Sequence, residues 1–233
     1  MRGILSCLAL LLWGGIAAAN ECVVLLHGLA RTASSMNRME RELAAAGYAT
    51  ANIDYPSREY TVEALAEMAV PSGIDACRDR DGVDTIHFVT HSLGGILVRQ
   101  YLSEHDIPDL GRVVMLGPPN QGSAAVDELQ DLPGFDWLNG PAGRQLGKGD
   151  QSVPLRLGPA DFELGIIAGN RTIDPITSAV LDNPDDGRVS VEDTKLEGMA
   201  DFVIVEHSHA FMMRMDRTIE LTKAFLATGS FSD

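Results

Sequence analysis

Short, continuous apolar runs alternate along this chain with stretches of helical periodicity. "CVVLLHG" (22–28), "YATANIDY" (48–55), "TIHFVTH" (85–91), "RVVMLGPP" (112–119), "LGIIAG" (164–169) and "DFVIVE" (201–206) read as strands. Between them, 34–46, 61 or 62 through 77, 93–104 and 210–227 read as helices, the first with Met36, Met39, Leu43 and Ala46 on one face and Gly47 as its stop. Because the strand runs are continuous rather than alternating, both sheet faces must be covered. That pattern predicts an α/β fold with a mostly parallel sheet and helices on both faces. In such sheets ligands bind at the carboxyl ends of the strands, so the residues just after each run matter most.

Residues 118–163 interrupt the alternation. They are rich in Gly and Pro and hold no clear strand. Connections that long are usually functional or mobile. With 233 residues, 45% of them hydrophobic, the chain can bury one sizeable core. The reading is one domain over 20–233 with an insertion at 118–163.

The first residues read differently. Met1-Arg2, an apolar run from Ile4 to Trp13 and Ala17-Ala18-Ala19 before Asn20 fit a secretory signal peptide over 1–19. The alternatives are an uncleaved anchor, for which the run is short, and a lipoprotein at Cys7, which almost no apolar segment precedes. Export to periplasm or medium follows, with no stable membrane anchor after cleavage. The mature chain keeps Cys22 and Cys77, and two cysteines in an exported chain suggest one disulfide rather than two buried thiols. A formal charge of −15 repels nucleic acid and anionic membrane surfaces. No metal-type cysteine spacing and no phosphate-binding loop occur in the sequence, and the chemistry expected below needs no cofactor and no metal.

"VTHSLGG" (89–95) puts Ser92 where a buried strand must reverse into a helix. A nucleophile elbow needs small residues two places before and after its serine. Gly94 supplies the second and Gly95 adds room, whereas Thr90 stands where glycine is usual. The Leu93 amide would open the helix and face an oxyanion. A second donor is expected from the loop after an earlier strand, and "LLHGLAR" (25–31) offers the Leu29 amide, with His27 read as a packing residue.

A serine hydroxyl needs an imidazole to take its proton and a carboxylate to orient that imidazole. After the last strand, "FVIVEHSHAFMM" (202–213) offers His207 and His209. His209, deeper in the loop, is preferred, and His207 is read as capping the helix or meeting solvent. For the acid, Asp186 in an Asp-Gly turn leads, Asp185 is second and Asp174 third.

With these residues in view, "VVLLHGL", "FVTHSLGGILVRQYL", "RVVMLGPPNQGS", "DGRVSVEDTKL" and "HSHAFMM" resemble the small secreted bacterial lipases and esterases of the α/β-hydrolase fold, in their triacylglycerol-lipase-like and GPI-inositol-deacylase-like branches. The resemblance spans most of residues 22–215 and is weak between about 123 and 163. It implies a minimal six-stranded core without a large cap and a triad of Ser92, Asp186 and His209. It also implies an oxyanion hole from the Leu29 and Leu93 amides, and a threonine or alanine tolerated at the place of Thr90. The strands carrying Cys22 and Ser92 are neighbours in such a sheet, which brings Cys22 and Cys77 to one edge.

The reaction this implies is ester hydrolysis through an acyl-serine, on a small-molecule or lipid ester. Neutral glycerides or soluble medium-chain esters suit the acidic chain better than an anionic lipid surface. Leu129, Leu132, Phe135, Trp137 and Leu138 could form an acyl-binding wall or small flap, or could only seal the core. An exported acyltransferase with the same triad, or a catalytically silent binding protein of the same fold, is the alternative. Oligomeric state is left open.

Overall fold

The structure, a computed structural model, describes residues 20–232. The signal peptide expected over 1–19 lies outside the described residues. In chain order the elements are β1 (Glu21–Leu26), α1 (Asn37–Ala45), β2 (Ala49–Ile53), α2 (Val62–Arg78), β3 (Thr85–His91), α3 (Leu93–Leu102) and β4 (Leu110–Leu116). Then follow α4 (Ala124–Leu129), α5 (Phe135–Arg144), α6 (Val153–Arg156), β5 (Leu164–Gly169), α7 (Pro175–Ser178), α8 (Val191–Thr194), β6 (Asp201–Val205) and α9 (Asp216–Thr228).

The six strands form one sheet in the order β2-β1-β3-β4-β5-β6, every pair parallel. The chain steps from β1 outward to β2, crosses back to β3 on the other side of β1, and then continues outward. The direction of winding therefore reverses between β1 and β3. Loops leaving the carboxyl ends of two such strands diverge and leave a crevice between them, the usual ligand position in open parallel sheets. The loop after β1 and Ser92 after β3 both stand at that point.

Alternate residues of each strand enter opposite cores. Val24, Leu26, Phe88 and Met115 pack under α2 and α3, while Val23, Leu25, Val89, Val114 and Leu116 pack under α1 and α9. Cys22 and Cys77 form a disulfide that ties the start of β1 to the last turn of α2, and both are fully buried. Thr61 caps α2, its hydroxyl accepting from the Ala64 amide. The sheet's outer strand β6 is half-exposed along most of its length, as expected of an edge.

Two expected elements differ in detail. The helix expected over 34–46 opens as a 3-10 turn, Ala33–Met36, before α1 proper. The helix expected over 210–227 is broken: Met212–Arg214 make a 3-10 turn, Met215 is extended at φ −89° and ψ 138°, and α9 starts at Asp216. The cause is packing. Met212 and Met213 are fully buried, and turning them into the core from the loop after β6 uses up the direction a straight helix would need.

The segment 118–163 contains helices and no strand among the described residues. It is pinned by Arg99 of α3, a buried guanidinium that donates to Asn120 O at 3.2 Å, Asn120 Oδ1 at 3.0 Å, Pro154 O at 3.0 Å and Gly158 O at 2.9 Å. Burial without a carboxylate pulls its pKa down to about 10.

Candidate active site

Ser92 sits at φ 52° and ψ −118°, immediately before α3. Few side chains adopt positive φ, and such strain persists only where the surroundings enforce it. Here the enforcement is visible. The Ser92 amide donates to Leu116 O of β4 at 2.9 Å, and the next turn already belongs to α3. That turn lies hard against β1: a Cβ on Gly94 would come within 2.7 Å of Leu26 O, so only glycine permits the approach. Thr90 fits because its hydroxyl turns toward Val114 O, at 3.5 Å, and Gly95 leaves space where a Cβ would stand 3.2 Å from it.

The loop after β1 closes on the serine. A Cβ on Gly28 would stand 2.6 Å from His91 Nδ1 and 3.3 Å from Ser92 Cβ, which measures how near the two loops come. His27 fixes this loop. Its ring stacks on Tyr55 at 3.9 Å between centroids, its Nδ1–H donates to Gly28 O at 2.9 Å, and its Nε2 accepts from the Tyr55 amide at 3.3 Å. The Tyr55 hydroxyl donates to His27 O. Burial outweighs the opposing hydrogen bonds and lowers the His27 pKa. Ala30 follows at φ 54°, its amide held by Ser57 Oγ at 3.1 Å. Among the described residues the Leu29 amide donates to no acceptor. The Leu93 amide, at the head of α3, has no acceptor within its own helix. Both candidate oxyanion donors are thus unspent.

His209 lies in the loop after β6 and is nine-tenths buried. Its Nδ1–H donates to Asp186 Oδ2 at 2.7 Å. The other carboxylate oxygen of Asp186 accepts from the Arg188 amide at 3.0 Å and the Val189 amide at 2.9 Å, and the His209 amide donates to Asp186 O at 2.9 Å. The two residues are therefore bound through both side chain and backbone. Asp185 points away: its oxygens take the Gly187 amide at 2.7 Å and the Ser178 hydroxyl at 2.6 Å. Asp174 caps α7, accepting from Ile176 and Thr177, both at 3.2 Å. His207 is half-buried and reaches neither Ser92 nor the carboxylates. Its Nε2 is shielded without a partner, while the residue as a whole is only partly buried.

Ser92 and His209 line one cavity of about 590 Å³. Among the described residues no hydrogen bond joins their side chains; such contacts often tighten only when substrate arrives. The apolar wall comes from the insertion. Leu129, Leu132, Phe135 and Leu138 line the cavity, whereas Trp137 does not and is 77% exposed.

His91 went unassigned in the sequence, although its place beside Ser92 was visible there. Its Nε2–H donates to His209 O at 3.0 Å and its ring lies 4.7 Å from that of His209. Burial first, then the charges of His209 and Arg31, hold its pKa well below the usual histidine range. It is a neutral strut between β3 and the loop that carries His209. Arg31 and Arg188, at the same cavity, were also unforeseen.

A metal-like grouping among the described residues, Glu67 with Glu104 and His105, is exposed and stands on α2 and just beyond α3, away from this cavity. No helix among the described residues is long and apolar enough to cross a membrane.

Comparison with known proteins bears on the family and the fold. Residues 23–221 match the alpha/beta hydrolase family. No curated protein matches the chain by sequence. Among solved structures, the mature form of lipase BlEst2 from Bacillus licheniformis superposes with a TM-score of 0.71 at 19% identity, covering 89% of this chain and 92% of that one. Phospholipase PlaB from Legionella pneumophila gives 0.64 at 18%, covering 83% of this chain and 55% of that one. The metagenomic carboxyl esterase MGS0156 gives 0.63 at 20%, covering 84% and 66%. At these identities the likeness is one of fold.

Proposed function

The chain belongs to the alpha/beta hydrolase family, and on that footing we propose that it is a serine hydrolase cleaving carboxylic esters, with Ser92 as nucleophile, His209 as base and Asp186 as its orienting acid. One observation carries the reading. His209 is held by Asp186 at 2.7 Å through Nδ1 and lines the cavity where Ser92 stands in a strained turn. A carboxylate on Nδ1–H fixes the tautomer whose free Nε2 can accept a proton.

In this reading Ser92 Oγ attacks the ester carbonyl while Nε2 of His209 takes its proton. The carbonyl oxygen gains the charge and meets the Leu29 and Leu93 amides; one such donor is typically worth about 3 kcal/mol in the transition state. The imidazolium then protonates the leaving alcohol, and the acyl group stays on Ser92. Water, deprotonated by His209, releases the acid. His91 remains neutral, so no second imidazolium opposes the charge that forms on His209. The acyl chain lies along Leu129, Leu132, Phe135 and Leu138, where each methylene removed from water contributes about 0.8 kcal/mol.

We also place the protein outside the cytoplasm, in periplasm or medium. The disulfide supports an oxidising compartment. Labelling with a fluorophosphonate tests the chemistry. A single adduct on Ser92, absent in Ser92→Ala, is expected; folded protein that takes up no label would end the proposal.

A further inference from the structure

In a chain with 33 acidic and 18 basic residues, an arginine would ordinarily find a carboxylate. At this cavity the expectation fails. Arg31 and Arg188 both line it, and Arg214, exposed in the turn before α9, is close enough to Arg31 to repel it. Neither Arg31 nor Arg214 has a carboxylate within 4.0 Å among the described residues. Arg188 has only Asp174, at 3.5 Å and with its own side chain 57% exposed, a pairing worth little in water. Burial and the charges of Arg214 and Arg188 lower the pKa of Arg31. Two guanidiniums with a third nearby, only one of them paired and that one weakly, thus gather at this cavity in a chain that is acidic overall.

The guanidiniums also have a definite place relative to the chemistry. Arg31 follows the candidate oxyanion donor Leu29 by two residues, and its Nη2 donates to Ala210 O, next to His209, at 3.1 Å. Arg188 follows Asp186 by two, and its amide donates to that carboxylate. The charges therefore hang from the loop that carries the oxyanion donor and the loop that carries the acid, the first also tied to the loop of the base, while the apolar wall comes from the insertion. In an acyl-serine mechanism the leaving alcohol must lie against the base, because the base hands it a proton.

Resting on the esterase reading above, we propose that the substrate is an acyl ester of a phosphorylated alcohol, its phosphate held by Arg31 and Arg188 and its acyl chain by the insertion. A phosphate monoester carries nearly two negative charges at neutral pH and presents oxygens that match guanidinium forks. The overall negative charge does not oppose this. It repels an extended anionic surface, whereas a single dispersed ester meets the local field of the cavity mouth.

The experiment compares kcat/KM for 1-decanoyl-glycerol 3-phosphate and 1-decanoyl-glycerol, both below their micellar concentrations, in wild type and in Arg31→Gln, Arg188→Gln and the double variant. Wild type is expected to prefer the phosphate ester by about tenfold or more, the size of one added charge-assisted contact. The preference should shrink in 0.5 M salt and collapse toward unity in the double variant, with Arg188→Lys keeping part of it. Fluorophosphonate labelling of each variant checks that the site is intact, and the wild-type preference is a test that needs no variant. Equal or faster cleavage of the neutral ester by wild type, or equal losses on both substrates in the variants, overturns the proposal and leaves the esterase reading standing. Should neither ester be cleaved while Ser92 takes the label, the phosphate assignment fails alone. Should no label appear either, both readings fall.

Discussion

A single torsion marks the proposed nucleophile. Ser92 holds φ 52° although it carries a Cβ, and the strain is borne by β1, β4 and α3 around it. Replacing it separates strain from chemistry. Ser92→Ala should fold and lose at least about 10⁴-fold in kcat. Ser92→Gly should be equally inactive but more stable than the alanine variant by about 1 kcal/mol, because glycine adopts positive φ without the Cβ penalty; paired denaturant melts read the difference. Asp186→Asn keeps the shape and should still cost about 10⁴-fold in kcat, since an amide facing Nδ1 favours the tautomer that cannot take the serine proton.

Between elements, two contacts decide whether the site is assembled. The first is the approach of α3 to β1 at Gly94. Gly94→Ala forces a methyl onto a backbone carbonyl that cannot move without the sheet, so a loss of about 1–3 kcal/mol is expected. The second is Arg99, which joins α3 to the insertion through four acceptor contacts. Arg99→Met fills similar volume but orphans those oxygens, and about 2–4 kcal/mol should be lost. Its signature is local: limited proteolysis should cut first within 118–158, and turnover of long acyl esters should fall further than that of acetate esters. Cleavage distributed evenly over the chain would contradict this role for Arg99.

For the whole molecule, the disulfide and the buried histidines set the working range. Cys22 and Cys77 close a loop of 55 residues, so a Cys22→Ala, Cys77→Ala variant should lose about 2–4 kcal/mol, or roughly 5–15 °C in Tm. His27, His87 and His91 all have folded pKa values below 6.5, chiefly because burial disfavours the charged ring. The unfolded chain therefore binds more protons than the folded one below that pH. Their contribution is fully present above about pH 6.5 and is lost as pH falls toward the depressed folded values, by up to about 1.4 kcal/mol per ring for each unit of depression. Calorimetric Tm should be flat between pH 7 and 8 and decline from pH 6.5 to 5. His91→Asn, which cannot be protonated there, should flatten part of that decline.

The sequence by itself determined the local features. Strand and helix identities follow from runs and periods a few residues long, and so does the turn at Ser92, because each depends on near neighbours along the chain. Even there, the helical pattern of the sequence runs through Met215, where burial of Met212 and Met213 breaks the helix. What only the tertiary structure decided are relations between distant segments. β1 pairs with both β2 and β3, which places the crevice at its carboxyl end, and nothing within a single run names its neighbours. Asp185 and Asp186 are adjacent in one turn and carry the same side chain. Only the arrival of His209 from beyond β6 distinguishes them, by meeting one carboxylate and not the other. Arg31 and Arg188 likewise share a cavity although 157 positions separate them in the chain. Backbone pattern is a local property, whereas pairing of side chains from separate loops depends on how the whole sheet is wound.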